Sequence, residues 1–444
     1  MKTIRYTLIL LGIALASCTE VLDVEPTASI SSSTAINDKA GLERAVTGAY
    51  ATLQSIGIYG RNQILVQDLA ADNLEWTGTT LEYSQIAGNN IAADNAVIEG
   101  MWSAGYDGIN RVNNILYRLP DIEGITAEEQ EAFRGDALFL RALFHFNLLQ
   151  YFGGIPIKTT PTLDLSNVDQ ARNTVAEVYE RVITDLTDAE ASLPATRSAG
   201  MASRYSAAAL LARVQLSAFH ALGSSDHAVQ AINAATRVIS EGGYSLATTF
   251  GDLFDGNTTE PVFEVVFDAQ NSNRLAQYFF ARSLTGRYEV GPSNALMQGF
   301  DPADLRSAHT FSLSADNVPY GIKYKDIVAG TDRVLVLRLA EMYLIRAEAR
   351  AYTNGDIGAI RDDIDILRTR AGLPATMASD HESLKLAIEN ERRWEFAFEG
   401  QRWSDLVRTG RAVTVLGIDP DFMLFPIPLS ELLTNKLMTP NPGY

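Results

Sequence analysis

Apolar residues recur at helical spacing along most of the chain, and in two places the spacing describes a pair of helices joined by a short turn. Residues 208–222 and 226–241 are predicted to form the first pair, with Asp226 capping the second helix. Residues 338–353 and 356–370 are predicted to form the second pair. Helix pairs that each bury one face on the next are typical of tetratricopeptide-like (TPR-like) stacks. We therefore predict a mainly α fold built on a TPR-like helical-repeat frame.

Further helices are predicted upstream of these pairs, and two of them begin with a capping signal. In each signal a threonine, Thr126 or Thr174, is followed three residues later by a glutamate, Glu129 or Glu177. The predicted helices cover residues 41–56, 101–119, about 127–152 and about 175–193.

A segment of different character, residues 244–337, lies between the two helix pairs. Residues 261–267 are predicted to form a β-strand because β-branched and aromatic residues dominate there, and the rest is rich in loops and aromatic side chains. Irregular loops carried on a rigid frame are frequent positions for binding sites. We expect this segment to be a partly β, ligand-binding insertion between an N-terminal helical part (residues 41–243) and a C-terminal part (residues 338–444).

The N-terminus resembles a bacterial lipoprotein leader. Two basic residues precede a short apolar stretch, residues 8–16, and Cys18 follows directly after it. This order predicts a signal peptide over residues 1–17 and acylation of Cys18, with palmitate among the acyl chains. Residues 18–40 are predicted to form the lipidated N-terminus and a flexible tether, so we expect lipid to hold the protein on a membrane.

The charge and the motif content exclude several classes of function. A net charge of −18 argues against nucleic acid as a partner, because such binding draws most of its affinity from clustered lysine and arginine. The single cysteine excludes a disulfide framework within the chain and a cysteine-cluster metal site. The five histidines lack metal-ligand spacing, and motifs for phosphate loops and serine nucleophiles are absent. We therefore predict a protein without catalytic activity, cofactor or metal.

Three glutamates, Glu391, Glu395 and Glu399, recur at every fourth position and share one helix face. A glycosidase needs two carboxylates that face each other across a sugar, so this pattern requires an explanation. Three arginines lie in the same block: Arg392, Arg393 and Arg402. Their proximity favours a network of buried ion pairs with the glutamates over a catalytic pair.

Five sequence blocks, in order behind the leader, resemble the SusD/RagB family of outer-membrane nutrient-binding lipoproteins. The blocks lie within residues 102–114, 139–156, 338–349, 391–410 and 424–444. The fourth, which reads ERRWEFAFEGQRWSDLVRTG, is the most specific. The resemblance implies a TPR-like frame with a loop-rich ligand face, no catalytic activity, and capture of glycans or other nutrients for a SusC-like TonB-dependent β-barrel transporter. It also implies a lipid-anchored position at the outer membrane of a diderm bacterium, exposed at the cell surface.

An oligosaccharide-binding surface needs flat aromatic rings for the apolar side of a sugar, and amides, carboxylates or arginines for its hydroxyls. The polar stretch 68–80, predicted to be a loop, offers both kinds of group. Candidates in or near this stretch are Asp72, Asn73, Glu75, Trp76 and Tyr83. Further candidates in the insertion are Tyr278, Tyr288, Tyr320 and Tyr324. Packing of Trp76 against its own loop is the competing interpretation, because large aromatic side chains are mostly buried.

Two alternatives stay open at this point. The first is a calcium site, for which the candidate ligands lack EF-hand spacing and are Asp252, Asp255, Asn257 and Glu260. The second is a TPR-like interaction scaffold whose concave helical surface binds a peptide or another envelope protein. Clustering of aromatic loop residues in one exposed, shallow site would favour a sugar over a peptide.

Overall fold

The computed structural model describes residues 32–163, 168–256 and 258–444. The predicted signal peptide, Cys18 and the first part of the predicted tether lie outside these residues. Among the described helices, none is both long and apolar enough to cross a bilayer. The helices are α1 (Ser32–Ala35), α2 (Lys39–Thr52), α3 (Asn62–Leu69), α4 (Leu81–Ala87), α5 (Ala96–Arg118), α6 (Ala127–Phe152), α7 (Val175–Ser192), α8 (Arg204–Leu222), α9 (Ser225–Glu241), α10 (Leu275–Phe279), α11 (Asn294–Gly299), α12 (Ser307–Thr310), α13 (Leu339–Tyr352), α14 (Ile357–Arg370), α15 (His381–Phe396), α16 (Arg402–Arg408), α17 (Ala412–Leu416) and α18 (Leu429–Thr434).

The longer helices form a continuous stack in which each packs against the next. α5 packs on α6, α6 on α7, α7 on α8, and α8 on α9. α9 then packs directly on α13, although the whole insertion separates the two in sequence, and α13 packs on α14 and α15. The predicted mainly α, TPR-like helical-repeat frame is confirmed. The insertion leaves this stack after α9 and returns to it at α13.

Helix starts follow the capping signals, with one exception. Thr126 and Thr174 each accept a hydrogen bond from the N–H of the glutamate three residues on, and each glutamate accepts one in return, so both capping boxes are present. The prediction that Asp226 caps α9 is wrong, because the N-cap is Ser224 and the helix begins at Ser225. Asp226 lies instead in the first turn, where its charge meets the positive end of the helix dipole.

Close packing of α5 on α6 depends on a glycine. Every residue of α6 from 135 to 149 is buried, so neighbouring helices cover it on several sides. At Gly108 of α5, an added Cβ would lie 2.5 Å from the ring of Phe144. Only a residue without a side chain lets the two helices meet at this distance.

Short strands form three antiparallel pairs in the described chain. The strands are β1 (Leu74–Trp76), β2 (Pro261–Val265), β3 (Val290–Pro292), β4 (Phe311–Leu313), β5 (Pro319–Gly321) and β6 (Val334–Arg338). β1 pairs with β3, β2 with β6, and β4 with β5. The strand predicted over residues 261–267 is confirmed for its first five residues, and the insertion is partly β as expected. The stretch 68–80 is more ordered than the predicted loop, because it contains the end of α3 and all of β1.

Candidate ligand-binding face

Buried ion pairs join the insertion to the C-terminal helices. The members of this ion-pair network are Glu260, Asp304, Arg306, Lys323, Arg338, Arg370, Glu391, Glu395 and Glu399. Each of these side chains is at most 4% exposed. Nη1 of Arg306 lies 2.6 Å from a carboxylate oxygen of Glu391 and 3.0 Å from one of Glu395. Charged groups at this depth are tolerated only when they are paired.

The three glutamates at every fourth position are in buried ion pairs, as predicted, but the predicted arginine partners are wrong. Arg392 pairs with Asp405 at 2.8 Å, and Arg402 pairs with Asp72 at 2.7 Å. Arg393 also binds Asp72, at 3.0 Å. Neighbours along a helix point about 100° apart, so an arginine next to a glutamate reaches a different face. The glutamates are instead paired with cations from β6, α14 and the insertion.

In the network, cations occupy these carboxylates. Burial alone would raise the pKa of Glu395, but the guanidinium groups of Arg370 and Arg338 hold that pKa well below its usual range. Burial raises the pKa of Glu391, and Arg306 opposes this rise. A pair of glycosidase carboxylates must face a sugar, whereas these carboxylates are enclosed and bound to cations. Their role is to hold the insertion on the C-terminal helices.

Half-exposed aromatic side chains meet on a different surface, which two strand pairs build. β3 lies beside β5, so the pair β1–β3 adjoins the pair β4–β5. The ring of Tyr320 on β5 lies 5.0 Å from that of Phe280, centroid to centroid, and the hydroxyl of Tyr288 donates to the carbonyl oxygen of Pro319 at 2.8 Å. We call this surface the loop face and define it by Glu75, Phe280, Tyr288 and Tyr320.

Tyr288 is held over β3 in an unusual backbone conformation. Its φ is +53°, in the left-handed region that non-glycine residues rarely adopt. A Cβ added at Gly291 would lie 2.7 Å from the Tyr288 hydroxyl oxygen, so the glycine makes room for the ring. Glu75 pairs with Gly291 across the strands, and burial together with the Glu75 charge raises the pKa of Tyr288. A tyrosine ring and an exposed carboxylate therefore lie together at this edge.

Trp76 and Glu75 point to opposite sides of β1. Trp76 shares its side with the buried Leu74, is half-buried, and packs against the main core. Its indole Nε1 is enclosed and finds no hydrogen-bond acceptor in the described part of the chain. Glu75 is exposed, and its carboxylate accepts a hydrogen bond from the backbone N–H of Asn294 at 3.1 Å. The packing interpretation of Trp76 is therefore supported by its position, whereas Glu75 is open to solvent.

Three of the candidate tyrosines lie beneath the surface. Tyr83, Tyr278 and Tyr324 are 1%, 5% and 3% exposed, so their rings are covered by the protein itself. The hydroxyl of Tyr83 donates to Asn62 at 2.8 Å, and that of Tyr324 donates to the carbonyl oxygen of Phe398 at 3.2 Å. These side chains support the loop face from inside and offer no flat surface to a ligand.

Asp72 and Asn73 also face inward, where they connect β1 to the C-terminal block. The carboxylate of Asp72 is taken by the two arginines already described, and Asn73 is buried. The Asn73 amide donates to Asp68 at 2.6 Å, while its oxygen accepts from Nε of Arg393 at 3.0 Å. Of the residues predicted to bind ligand, the structure brings Glu75, Tyr288 and Tyr320 to the loop face, packs Trp76 on the other side of β1, and places the others inside.

The buried carboxylate of Asp68 accepts several of the hydrogen bonds that connect β1 to the C-terminal block. Besides Asn73, the backbone N–H groups of Phe398 and Gly400 donate to its carboxylate at 3.3 and 3.1 Å. Burial raises the pKa of Asp68 to about 6, and the hydrogen bonds limit that rise. One carboxylate thus ties the end of α3, the start of β1 and the C-terminal block together.

Sequence reasoning missed Phe280, Arg282 and Arg287 as residues of this surface. Both arginines are exposed, and the guanidinium of Arg287 lies 5.0 Å from the ring centre of Tyr278. Arginine close to aromatic rings is suited to contact sugar hydroxyls beside a stacked ring. The signal was present in the sequence, where residues 278–288 mix aromatic side chains with arginine.

A large cavity lies elsewhere, between α5 and the segment around residues 156–170. It has a volume of 670 Å³, and its wall includes Trp102, Tyr106 and Asn113. The chain already uses two polar groups of this wall, since the Tyr106 hydroxyl donates to the carbonyl of Pro156 and the Asn113 amide donates to that of Lys158. Size alone therefore does not make it the stronger candidate site.

The candidate calcium ligands do not converge in the structure. Glu260 belongs to the ion-pair network, Asp255 pairs with Lys325 at 3.0 Å, and Asp252 accepts from the N–H of Thr249 at 3.0 Å. Asn257 lies outside the described residues. Within the described ranges, no group of three or more histidine, cysteine, aspartate or glutamate side chains is arranged to hold a metal ion.

Comparison with known proteins gives matches along most of the chain. The family model described as "Starch-binding associating with outer membrane" matches residues 20–216, and the model described as "SusD family" matches residues 323–419. "SusD-like protein P2" of Formosa agariphila is 27% identical over the full length of both chains. "Starch-binding protein SusD" of Bacteroides thetaiotaomicron is 26% identical, with 77% of each chain covered.

Solved structures share the fold. A SusD superfamily protein from Bacteroides vulgatus matches with a TM-score of 0.83 at 22% identity, covering 91% of this chain and 99% of that one. A structure described as "Laminarin binding SusD-like protein" matches with a TM-score of 0.82 at 23% identity, covering 92% and 100%. Surface glycan-binding protein A from Bacteroides thetaiotaomicron, in complex with laminarihexaose, matches with a TM-score of 0.79 at 18% identity, covering 91% and 100%.

Proposed function

The chain belongs to the SusD/RagB family, and on that premise we propose that it is a non-catalytic protein that binds oligosaccharides at the bacterial outer membrane. The observation that carries the proposal is the loop face. There, the half-exposed rings of Phe280 and Tyr320 lie 5.0 Å apart, Tyr288 is hydrogen-bonded to the residue before Tyr320, and the exposed carboxylate of Glu75 lies near Tyr288. This clustering of rings in a shallow surface favours a sugar over the alternative of a peptide-binding scaffold.

The chemistry of the loop face suits a neutral sugar. Aromatic faces cover the apolar side of a pyranose ring, while the carboxylate of Glu75 accepts hydrogen bonds from its hydroxyls. Arg282 and Arg287 supply donors at the same edge. Two of the structural relatives named above are described as binding laminarin or laminarihexaose, so these are the first ligands to try.

A glycan array followed by calorimetric titration tests the binding. We expect the chain to bind one class of oligosaccharide, and the double variant Glu75→Ala/Tyr320→Ala to lose most of that affinity. The matched control is Glu123→Ala/Tyr117→Ala, which removes an exposed carboxylate and an exposed ring outside the loop face. If no glycan binds, or if both double variants bind equally well, the proposal fails.

The proposed position is a lipid anchor at Cys18, which lies outside the described residues. Several acyl chains hold a protein firmly on a bilayer, whereas a single chain does so only reversibly. Replacing the only thiol, in Cys18→Ala, should release the protein from the membrane fraction. A variant that still sediments with membranes after a carbonate wash would show that something other than lipid holds it.

The proposed partner is a SusC-like TonB-dependent β-barrel transporter, to which the protein delivers its ligand. A rigid helical stack presents a broad preformed surface that can cover a barrel mouth without refolding. We expect a stable interface that buries more than about 2,000 Å². Mild detergent extraction of native membranes, followed by affinity purification, should recover the barrel in near-equal amount. Recovery of the protein alone would favour a binder that works without a fixed partner.

A further inference from the structure

A second cavity, separate from the loop face, lies against β2. It has a volume of 360 Å³ and is lined by the loop at residues 195–201, by Gly242 to Tyr244, by Thr258 and by β2 itself. No residue of the loop face contributes to its wall. Cavities of about 300–1,000 Å³ are the usual size for small-molecule sites, whereas one water takes about 30 Å³.

The wall of this cavity contains a carboxylate that is only half satisfied. Glu264 is the one charged residue of the strand PVFEV and is 7% exposed. One of its oxygens, Oε1, accepts a hydrogen bond from Nη1 of Arg333 at 2.9 Å. The other oxygen, Oε2, is enclosed and finds no donor within the described residues. Burial raises the pKa of this carboxyl, and Arg333 opposes the rise.

The local backbone places Glu264 in this wall. The pairing of β2 with β6 is irregular between Phe263 and Glu264, where the register shifts. Such irregularities re-aim a side chain relative to its neighbours on the strand. A buried carboxylate oxygen without a donor is destabilising, so its presence in an otherwise apolar strand requires an explanation.

A second polar atom in the same wall is also unsatisfied. The hydroxyl oxygen of Thr258 is enclosed and has no hydrogen-bond partner in the described chain. A carboxylate oxygen needs a donor, and a hydroxyl can donate and accept. A molecule that fits both groups therefore carries hydroxyls. The two arginines of the wall already have carboxylate partners, Arg197 with Asp136 at 3.2 Å and Arg333 with Glu264 at 2.9 Å, so neither is free to neutralise an anion, and an added cation would compete with Arg333 for Glu264.

We propose that this Glu264 cavity is a second binding site, for a neutral polyhydroxyl ligand of monosaccharide size. When the ligand binds, the side chains of Glu264 and Thr258 turn toward the cavity. Glu264 Oε2, which is enclosed in the structure, then accepts hydrogen bonds from ligand hydroxyls, and the Thr258 hydroxyl forms a hydrogen bond with a neighbouring one. Met201 and Val262, which also line the cavity, cover an apolar side of the ligand. This site lies outside the proposed oligosaccharide surface, so the chain would hold a short sugar independently of a long one.

The test is a titration of the intact protein with a panel of single sugars (glucose, galactose, mannose and xylose), read by ligand-observed NMR. At least one sugar should bind, and Glu264→Gln, which keeps the shape and the bond to Arg333, should weaken that binding about tenfold or more. Thr258→Val should weaken it less. The matched control is Glu382→Gln, whose side chain is 84% exposed, and it should leave binding unchanged.

A crystal soaked with the bound sugar should then show the ring against Glu264. Ordered water alone in the cavity, binding at crystal concentration only, or equal binding by Glu264→Gln would each overturn the proposal. Glu264→Gln should leave oligosaccharide binding at the loop face intact. Failure of the single-sugar test is therefore distinguishable from failure of the loop face, which the double variant at Glu75 and Tyr320 reports.

Discussion

The ion-pair network and the loop face treat their functional groups in opposite ways. In the network, nine charged side chains are buried and form ion pairs with one another, from Glu260 in the insertion to Glu399 in the C-terminal block. In the loop face, the rings of Tyr288 and Tyr320 remain half-exposed, and Glu75 is open to solvent. A charged group that holds the fold has its ion-pair partners within the protein. A group that binds a ligand stays open to solvent until the ligand contacts it.

This contrast changes how the sequence is to be interpreted. The block with the most specific resemblance, residues 391–410, contributes its glutamates to the network and its arginines to Asp72 and Asp405. The loop face has no comparable motif. Strong sequence patterns in this chain therefore mark the parts that fix the geometry, and the ligand surface lies where the pattern is weak.

The largest effect is expected from breaking the network at its centre. Glu395 binds Arg306, Arg338 and Arg370, so Glu395→Gln removes one charged partner from three buried guanidinium groups at once, although each keeps another carboxylate. We expect a loss of about 3–5 kcal/mol in the free energy of unfolding, measured by urea denaturation. The control is Asp107→Asn, in a pair that is about half-exposed on both sides, which should cost less than about 1 kcal/mol. If both variants lost a similar amount of unfolding free energy, the buried network would not stabilise the fold more than an exposed ion pair does.

The next effect concerns Asp68, which connects the two regions. Its pKa is raised from 3.8 to about 6, so its contribution to stability is full below pH 3.8 and is lost as the pH rises through 6. We expect the stability advantage of the wild type over Asp68→Asn to shrink by up to about 3 kcal/mol between pH 4 and pH 7. Urea unfolding of both proteins across this range measures the difference. If the stability advantage of the wild type over Asp68→Asn grew with rising pH, the fold would stabilise the charged form of the Asp68 carboxylate.

A smaller effect is expected within the helical frame. In Gly108→Ala the new Cβ would lie 2.5 Å from the Phe144 ring, and we expect a loss of about 1–3 kcal/mol in unfolding free energy. Gly100→Ala in the same helix meets nothing within 4 Å and should gain about 0.5–1 kcal/mol from helix propensity. Thermal unfolding of the two variants gives the comparison. Opposite signs would confirm that packing, and not helix propensity, selects glycine at position 108.

The smallest effect in stability, and the most informative for binding, is expected at the loop face. Tyr320→Ala removes a half-exposed ring and should weaken oligosaccharide binding by about 1 kcal/mol or more, which is about fivefold. Its unfolding free energy should change by less than in Gly108→Ala. Tyr117→Ala, which removes a ring that is 49% exposed on α5, should leave affinity unchanged. Calorimetric titration and thermal unfolding of both variants separate binding from folding.

Most of the frame could be predicted from the sequence because its signals are local. Helical periodicity and the capping boxes at Thr126 and Thr174 act over three or four residues, and the helices begin where these signals place them. The partners of the glutamates could not be predicted in this way. Arg306 and Glu391 are 85 residues apart in sequence and meet only through the path of the insertion.

The candidate site was predicted in composition but not in geometry. The aromatic residues of the insertion were identified from the sequence, but some of them are buried in the structure and others are half-exposed. Nothing in the local sequence distinguishes the buried Tyr324 from the half-exposed Tyr320. Which side of β1 carries Trp76 depends on pairing with β3, which no short pattern indicates. The residues that a ligand can reach are therefore decided by contacts between distant segments.

Those distant contacts also set the order in which the molecule can assemble. The hydroxyl of Thr77 donates to the carbonyl oxygen of Tyr288 across 211 residues, and the N–H of Phe398 reaches Asp68 across 330. Closing chain loops of this length costs entropy that is repaid only after the intervening helices have folded. The stack can grow helix by helix from the N-terminus, but the contacts that fix the start of β1 against residues 393–402 form only when the last part of the chain has been made. The final positioning of the loop face is therefore expected to be a late event in folding.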